Sequence, residues 1–249
     1  MGSINMEPMN MEPMNMKRLI KDIKEIMKNP IDNIYYQHDE SNMFKGYALI
    51  IGPDNTPYAY GNYLFEFTFP PSYPFDPPIV KYFTNDGSTR FNPNLYIDGK
   101  VCLSVLNTWK GEGWSSCQNI RSILLILTTV LNERPIENEP GLTTTHQDNN
   151  NYNNMIRYKN LEIAIIGILS KKYLDNRFSI FYNIIVEQFL QNKENIEIFL
   201  KNLKLDLANN DNLVINFNLY NSKYIINLAN LELKLKKLDN IKIESNIIE

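Results

Sequence analysis

The chain has 249 residues, 43% of them hydrophobic, and its 25 Lys and Arg against 28 Asp and Glu give a formal net charge of −3. That length and apolar share suffice for one ordinary domain core plus an appendage, and scattered basic residues without a Lys/Arg block exclude a nucleic-acid-binding surface. Two cysteines exclude a disulfide framework and point to a reducing compartment, cytoplasmic or nuclear, and no apolar run approaches the roughly 18 residues of a membrane span.

Residues 4 to 15 repeat Asn-Met-Glu-Pro-Met, so residues 1 to 15 are expected to be a disordered tail. The start has no apolar stretch for a signal peptide, and Met6 stands where myristoylation needs a small hydroxyl residue. From Met16 the pattern changes. Leu19, Ile20, Ile23, Ile26 and Met27 recur at helical spacing opposite Lys17, Lys21, Lys24 and Lys28, and Pro30 ends the helix. Strand-like runs follow at Ile34 to His38, Lys45 to Ile51, Tyr63 to Phe69 and Ile79 to Phe83. Tyr63, Phe65, Phe67 and Phe69 alternate with Leu64, Glu66 and Thr68, which predicts a half-buried antiparallel strand with an aromatic face. Short turns between these runs predict a four-stranded meander, and helices on either side make the class α+β.

The segment Arg90 to Leu103 carries chemistry. Pro93 biases Asn92 toward extended backbone and Asp98-Gly99 signals a turn, so Cys102 is delivered on an ordered loop. Asn94 can fold back toward the sulfur, where its amide suits a developing oxyanion. A buried structural cysteine beside a turn is the bland alternative. Lys110-Gly111-Glu112-Gly113 reads as a flexible loop. Ser115 with Gln118 forms a capping-box pattern opening a helix whose stripe is Ile120, Ile123, Leu124, Leu127 and Leu131. Leu125, Ile126 and Val130 make its far side apolar, which predicts a central helix covered on both faces. Cys117 falls in the first turn of that helix and is a rival nucleophile, ranked second because no Asn94 accompanies it. Glu137, Asn138 and Glu139 before Pro140 form an acidic loop of ordinary turn formers. Asn149 to Asn154 reads as a linker or an N-cap region before a helix at Met155 to Leu169. Ile180 to Phe189, Ile196 to Leu207 and Leu219 to Leu238 show further helical spacing.

Three motifs in order resemble the ubiquitin-conjugating enzyme family. They are Phe69-Pro70-Pro71-Ser72-Tyr73-Pro74-Phe75-Asp76-Pro77-Pro78, then Asn92-Pro93-Asn94-Leu95 with Gly99-Lys100-Val101-Cys102-Leu103, then Trp114-Ser115. Asn92 stands where the family usually has a histidine that orders the loop. Asn-Pro-Asn, the run Leu103 to Trp109 and Asn138-Glu139-Pro140-Gly141 are similar to the extended members, among them the conjugating enzyme of the alternative ubiquitin-activating enzyme. The resemblance covers residues 16 to 172, which it implies to be a catalytic domain of UBC fold, and leaves 173 to 249 as a helical extension.

It further implies a thioester of ubiquitin or a related modifier on Cys102, with Asn94 as oxyanion donor and transfer to a substrate lysine or a ligase. Lys17, Arg18 and Lys21 on the first helix are implied to contact the activating enzyme. Phe75 with Ser115 and Ser116 is implied to receive a RING or HECT ligase, although Ser115-Ser116-Cys117 replaces the common Ser-Pro-Ala. Aligning by the proline makes Glu139 the carboxylate that positions and deprotonates the incoming lysine, while gapless counting makes it Asn138. No metal, nucleotide or organic cofactor and no membrane is implied. A catalytically inactive variant that scaffolds ubiquitin or a ligase is the alternative. A cysteine hydrolase pairing Cys102 with His38 or His146, the two histidines of the chain, is a third reading.

Overall fold

The structure, a computed structural model, describes residues 14–208, 210 and 213–244. The tail expected over residues 1 to 15 lies outside them except for Met14 and Asn15, which already belong to the first helix.

Helix α1 (Met14–Lys28) buries Leu19 and Ile26 and leaves Lys17, Lys21, Lys24 and Lys28 exposed, as its spacing predicts, but Met27, expected on the apolar face, lies in the last turn and is 65% exposed. Its buried Asp22 accepts from Arg18 Nε at 2.9 Å and from the Tyr73 hydroxyl at 2.5 Å. Strands β1 (Ile34–His38), β2 (Lys45–Ile51), β3 (Asn62–Thr68) and β4 (Ile79–Tyr82) form an antiparallel meander in sequence order. The register sets Tyr47 opposite Glu66 and Glu66 opposite Lys81.

Strand β3 is buried at every position except Thr68, on both faces and not on one. Its aromatic face packs Phe67 edge-on to Tyr36 at 6.0 Å and Tyr63 edge-on to Phe91 at 6.0 Å. The opposite face is covered by residues beyond 172. Phe178, fully buried, sits 5.6 Å from the Tyr47 ring and 5.2 Å from Phe83, and Arg177 Nη1 reaches Glu66 Oε2 at 2.7 Å. One continuous set of buried side chains thus runs from Leu19 to Leu238. Alternation within one strand cannot report a cover that arrives from so far along the chain.

Helix α2 (Ile120–Val130) buries the predicted stripe, but it begins at Ile120. Asn119 Oδ1 accepts from Ser122 N at 2.9 Å and Ser122 Oγ accepts from Asn119 N at 3.0 Å, so this reciprocal cap, next to the apolar run, supplants the Ser115–Gln118 pair. Ser115 and Gln118 close a turn instead. Cys117 therefore precedes the helix and is exposed, without the helix terminus that made it a rival nucleophile. Leu125 is 43% exposed, so α2 is covered on one side and not all round.

Helix α3 (Asn149–Lys159) includes the asparagine-rich patch and continues in wider π-type turns through Asn160–Gly167. Asn160, fully buried, donates to Ala59 O at 2.8 Å and accepts from the Tyr63 hydroxyl at 2.7 Å. A Cβ at Gly61 would fall 1.9 Å from its Oδ1, so only glycine admits this contact. A 3-10 segment (Asn176–Phe181), α4 (Tyr182–Gln191) and α5 (Lys193–Asp206) follow. The extension is mainly helical, yet the run from Leu219 to Leu238 is not one helix. Strands β5 (Leu213–Phe217) and β6 (Ser222–Ile226) form a hairpin, and α6 (Leu228–Lys236) starts only after the Asn227 cap. Ile215, Phe217, Tyr224 and Ile226 point inward on a two-residue period, and that alternation wins over the helical spacing of the leucines. Among the described residues no helix is long and apolar enough to cross a membrane.

Candidate active site

The loop that carries Cys102 is fastened at each step. Gly99, at φ +86°, makes the turn that lets Tyr96 N bond Lys100 O at 3.0 Å and brings Leu95 opposite Val101. The same glycine accepts from Tyr82 N at 2.8 Å, which ties the turn to β4. Cys102 N then donates to Asn94 O at 2.9 Å, and Asn94 Nδ2 donates to Cys102 O at 2.7 Å. Asn92 Oδ1 accepts from Asn94 N at 2.9 Å, an Asx-type turn. Its Nδ2 donates to the Tyr58 hydroxyl at 2.8 Å and to Val130 O at 2.9 Å, at the end of α2. With every bond made inside the protein, fully buried Asn92 carries no unpaired polar group.

Cys102 is 3% exposed, and its Sγ lies 3.3 Å from Thr108 O. The Thr108 hydroxyl knits the same turn, accepting from Leu103 N and donating to Val101 O, both at 2.8 Å. Neither histidine pairs with the sulfur. His38 engages the Tyr36 hydroxyl through Nδ1 at 2.8 Å and Met43 O through Nε2 at 2.9 Å, and His146 Nδ1 accepts from Asp148 N at 3.2 Å. A Cys–His hydrolase pair is therefore not formed among the described residues.

The remaining predicted residues fall into two groups. Phe75 is 72% exposed, and Ser115 and Ser116 are exposed beside it, because Trp114 Nε1 bonds Pro74 O at 2.7 Å and joins the two loops. Arg18 belongs with these loops and not with the free lysines of α1, since it donates to Ser116 O and Gln118 O, each at 2.8 Å. Asn138 and Glu139 also separate. Asn138 Nδ2 bonds Asn92 Oδ1 at 3.3 Å and Val130 O at 3.0 Å, so it braces the cysteine loop from behind. Glu139 instead accepts from the Tyr220 hydroxyl at 2.8 Å. Tyr58 and Tyr220, which bond Asn92 and Glu139, had no motif to announce them, whereas Thr108 lies in the run Leu103 to Trp109. Among the described residues no cluster of His, Cys, Asp and Glu is arranged to hold a metal ion.

The residue profile of the family described as "Ubiquitin-conjugating enzyme" matches residues 18–180. The chain belongs to the ubiquitin-conjugating enzyme family. It is 43% identical over 158 residues to "Ubiquitin-conjugating enzyme E2 Z" of Danio rerio, covering 62% of this chain and 48% of that protein. The human protein of the same name is 42% identical over 158 residues, covering 62% of this chain and 45% of it. "Dual E2 ubiquitin-conjugating enzyme/E3 ubiquitin-protein ligase BIRC6" of Homo sapiens is 37% identical over 146 residues, covering 54% of this chain but 3% of its own length. The chain thus spans about half the length of its E2 Z relatives. In this member of the ubiquitin-conjugating enzyme family, Asn92 fills the place of the usual histidine with bonds to Tyr58, Asn94 and Val130.

Proposed function

We propose that this chain takes ubiquitin from an activating enzyme as a thioester on Cys102 and passes it to a substrate lysine or to a ligase. The observation that carries the reading is the reciprocal hydrogen bonding of Asn94 and Cys102, which sets the motif cysteine on a braced loop with an amide beside it. In the first step the Cys102 thiolate attacks the incoming thioester carbonyl and the activating enzyme's thiolate leaves. That exchange is close to isoenergetic and needs no adjacent imidazole.

In the second step an acceptor lysine gives one ammonium proton to Glu139. The neutral amine adds to the carbonyl carbon, the C–S bond breaks, Cys102 leaves as thiolate, and the second nitrogen proton passes to solvent. One N–H of Asn94 is spent on Cys102 O, and the other serves the oxyanion, a contribution of about 3 kcal/mol at comparable acyl-transfer sites. Phe75, Ser115 and Ser116 form the ligase-facing surface and exposed Lys17 and Lys21 the surface for the activating enzyme, with Arg18 holding the two surfaces in register. The reaction needs no cofactor on this chain, and the setting is cytoplasm or nucleus.

The test is a charging assay with activating enzyme, ATP and ubiquitin, resolved with and without reductant, beside Cys102→Ser and Cys117→Ser. A reducible ubiquitin-sized shift is expected for the parent and for Cys117→Ser. Cys102→Ser is expected to lose it or to give a reduction-resistant ester. No shift with either class of ubiquitin-activating enzyme would overturn the reading in favour of a ubiquitin- or ligase-binding scaffold.

A further inference from the structure

Glu139 is reached from far along the chain. The Tyr220 hydroxyl, 81 residues away, donates to Glu139 Oε2 at 2.8 Å, and among the described residues no hydrogen bond reaches Oε1. Tyr220 sits in the turn between β5 and β6, and that turn is preformed. Asp148 Oδ2, on a buried carboxylate, accepts from Asn218 N at 2.9 Å and Leu219 N at 3.0 Å, while Asn221 N closes on Asn218 O at 3.0 Å.

The Tyr220 ring is held as firmly as its hydroxyl. The Arg90 guanidinium lies 4.4 Å from the Tyr220 ring centroid and 3.9 Å from that of Tyr96. Arg90 Nη2 also donates to Pro93 O at 2.7 Å, on the residue before Asn94. One side chain of the extension therefore touches both the Glu139 carboxylate and Arg90, at the start of the cysteine loop. Burial, and next the Glu139 carboxylate, hold the Tyr220 phenol well above its usual pKa of 10.0, so its hydroxyl stays a donor.

We infer that Tyr220 is a positioning residue for ubiquitin transfer, fixing Glu139 through one carboxylate oxygen so that the other is presented to the acceptor amine. The inference rests on the reading above that Glu139 receives the lysine proton. A carboxylate at a loop end otherwise samples several rotamers, most of them useless to a nitrogen that must also meet the thioester carbon. The phenol selects one rotamer of that carboxylate by bonding Oε2.

The experiment compares the full chain with Tyr220→Phe, Glu139→Gln and the double variant. Tyr220→Phe keeps the ring over Arg90 and removes only the hydroxyl. Three readouts are taken: the rate of charging by the activating enzyme, single-turnover discharge onto free lysine, and the denaturant midpoint. Tyr220→Phe is expected to charge like the parent and to discharge about fivefold more slowly, the scale of one lost hydrogen bond. Glu139→Gln also discharges slowly, and Tyr220→Phe adds no further loss to it, since the hydroxyl acts only through that carboxylate. Discharge by Tyr220→Phe at the parental rate while Glu139→Gln is slow would overturn the inference and leave the role of Glu139 standing. Parental discharge by Glu139→Gln would overturn both. A lower midpoint with equal losses in charging and discharge, or a Tyr220→Phe loss that persists in full in the Glu139→Gln background, would reduce Tyr220 to a structural contact and overturn the inference.

Discussion

The Asn94 amide donates to the Cys102 carbonyl at 2.7 Å while the Cys102 N–H donates to the Asn94 carbonyl at 2.9 Å, so the two residues close a ring across the turn at Gly99. Asn94 therefore braces the loop in the resting chain, and the proposed reaction would draw on its second N–H. Asn94→Ala is expected to cost about 1 kcal/mol of stability and to slow discharge onto lysine about 100-fold, with a much smaller loss in charging. Parallel single-turnover assays of the two half-reactions check this, and equal losses in both would leave only the brace.

Phe178 fills the outer face of the sheet between Tyr47 and Phe83. Phe178→Ala opens a cavity at a fully buried position and is expected to lower stability by about 3–5 kcal/mol, read from the urea midpoint. One cooperative transition is expected for the parent. Two resolved transitions would mean that the sheet and its cover unfold apart.

Burial holds His38 below its usual pKa of 6.5, with the Met43 carbonyl and the Asp39 charge opposing in part. The unfolded chain thus binds this proton more readily than the folded one. The contribution is present above 6.5 and is lost as pH falls below it, so stability should drop in acid. Denaturation midpoints taken between about pH 7.5 and pH 5 check the slope, which His38→Gln should flatten.

Phe75 is 72% exposed, so its side chain contributes little to the core. Phe75→Ala is expected to change stability by less than about 0.5 kcal/mol and to leave charging intact, while discharge stimulated by a RING ligase falls. Trp114→Ala should depress both stability and stimulated discharge, because Trp114 also fastens the loop at Pro74. The contrast between the two variants in one stimulated-discharge assay decides the matter.

What the sequence made legible was local. The cysteine loop could be read because Pro93, Asp98 and Gly99 fix the backbone within a few residues of Cys102, and the first helix because its apolar spacing ends at Pro30. The start of α2 was misplaced because two cap patterns compete over eight residues and only the packed chain chooses Asn119 with Ser122. The hairpin at Leu213–Ile226 was hidden by leucines whose spacing also suits a helix. Tyr58, Tyr220 and the cover provided by Arg177 and Phe178 carry no local pattern at all. Their partners lie 34, 81 and 111 residues away, beyond any window in which periodicity has meaning.

Arg177, which neutralises buried Glu66, follows it by 111 residues. On a ribosome adding about 5–20 residues per second, strand β3 therefore waits roughly 6–22 s for the cover of its outer face. Through that interval Tyr47 lacks Phe178 and Glu66 lacks Arg177, which leaves an aromatic ring and a carboxylate without its guanidinium on the outer face of the nascent sheet. The late arrival of the cover predicts that slowing translation across the stretch from Glu66 to Arg177 lowers the yield of folded protein.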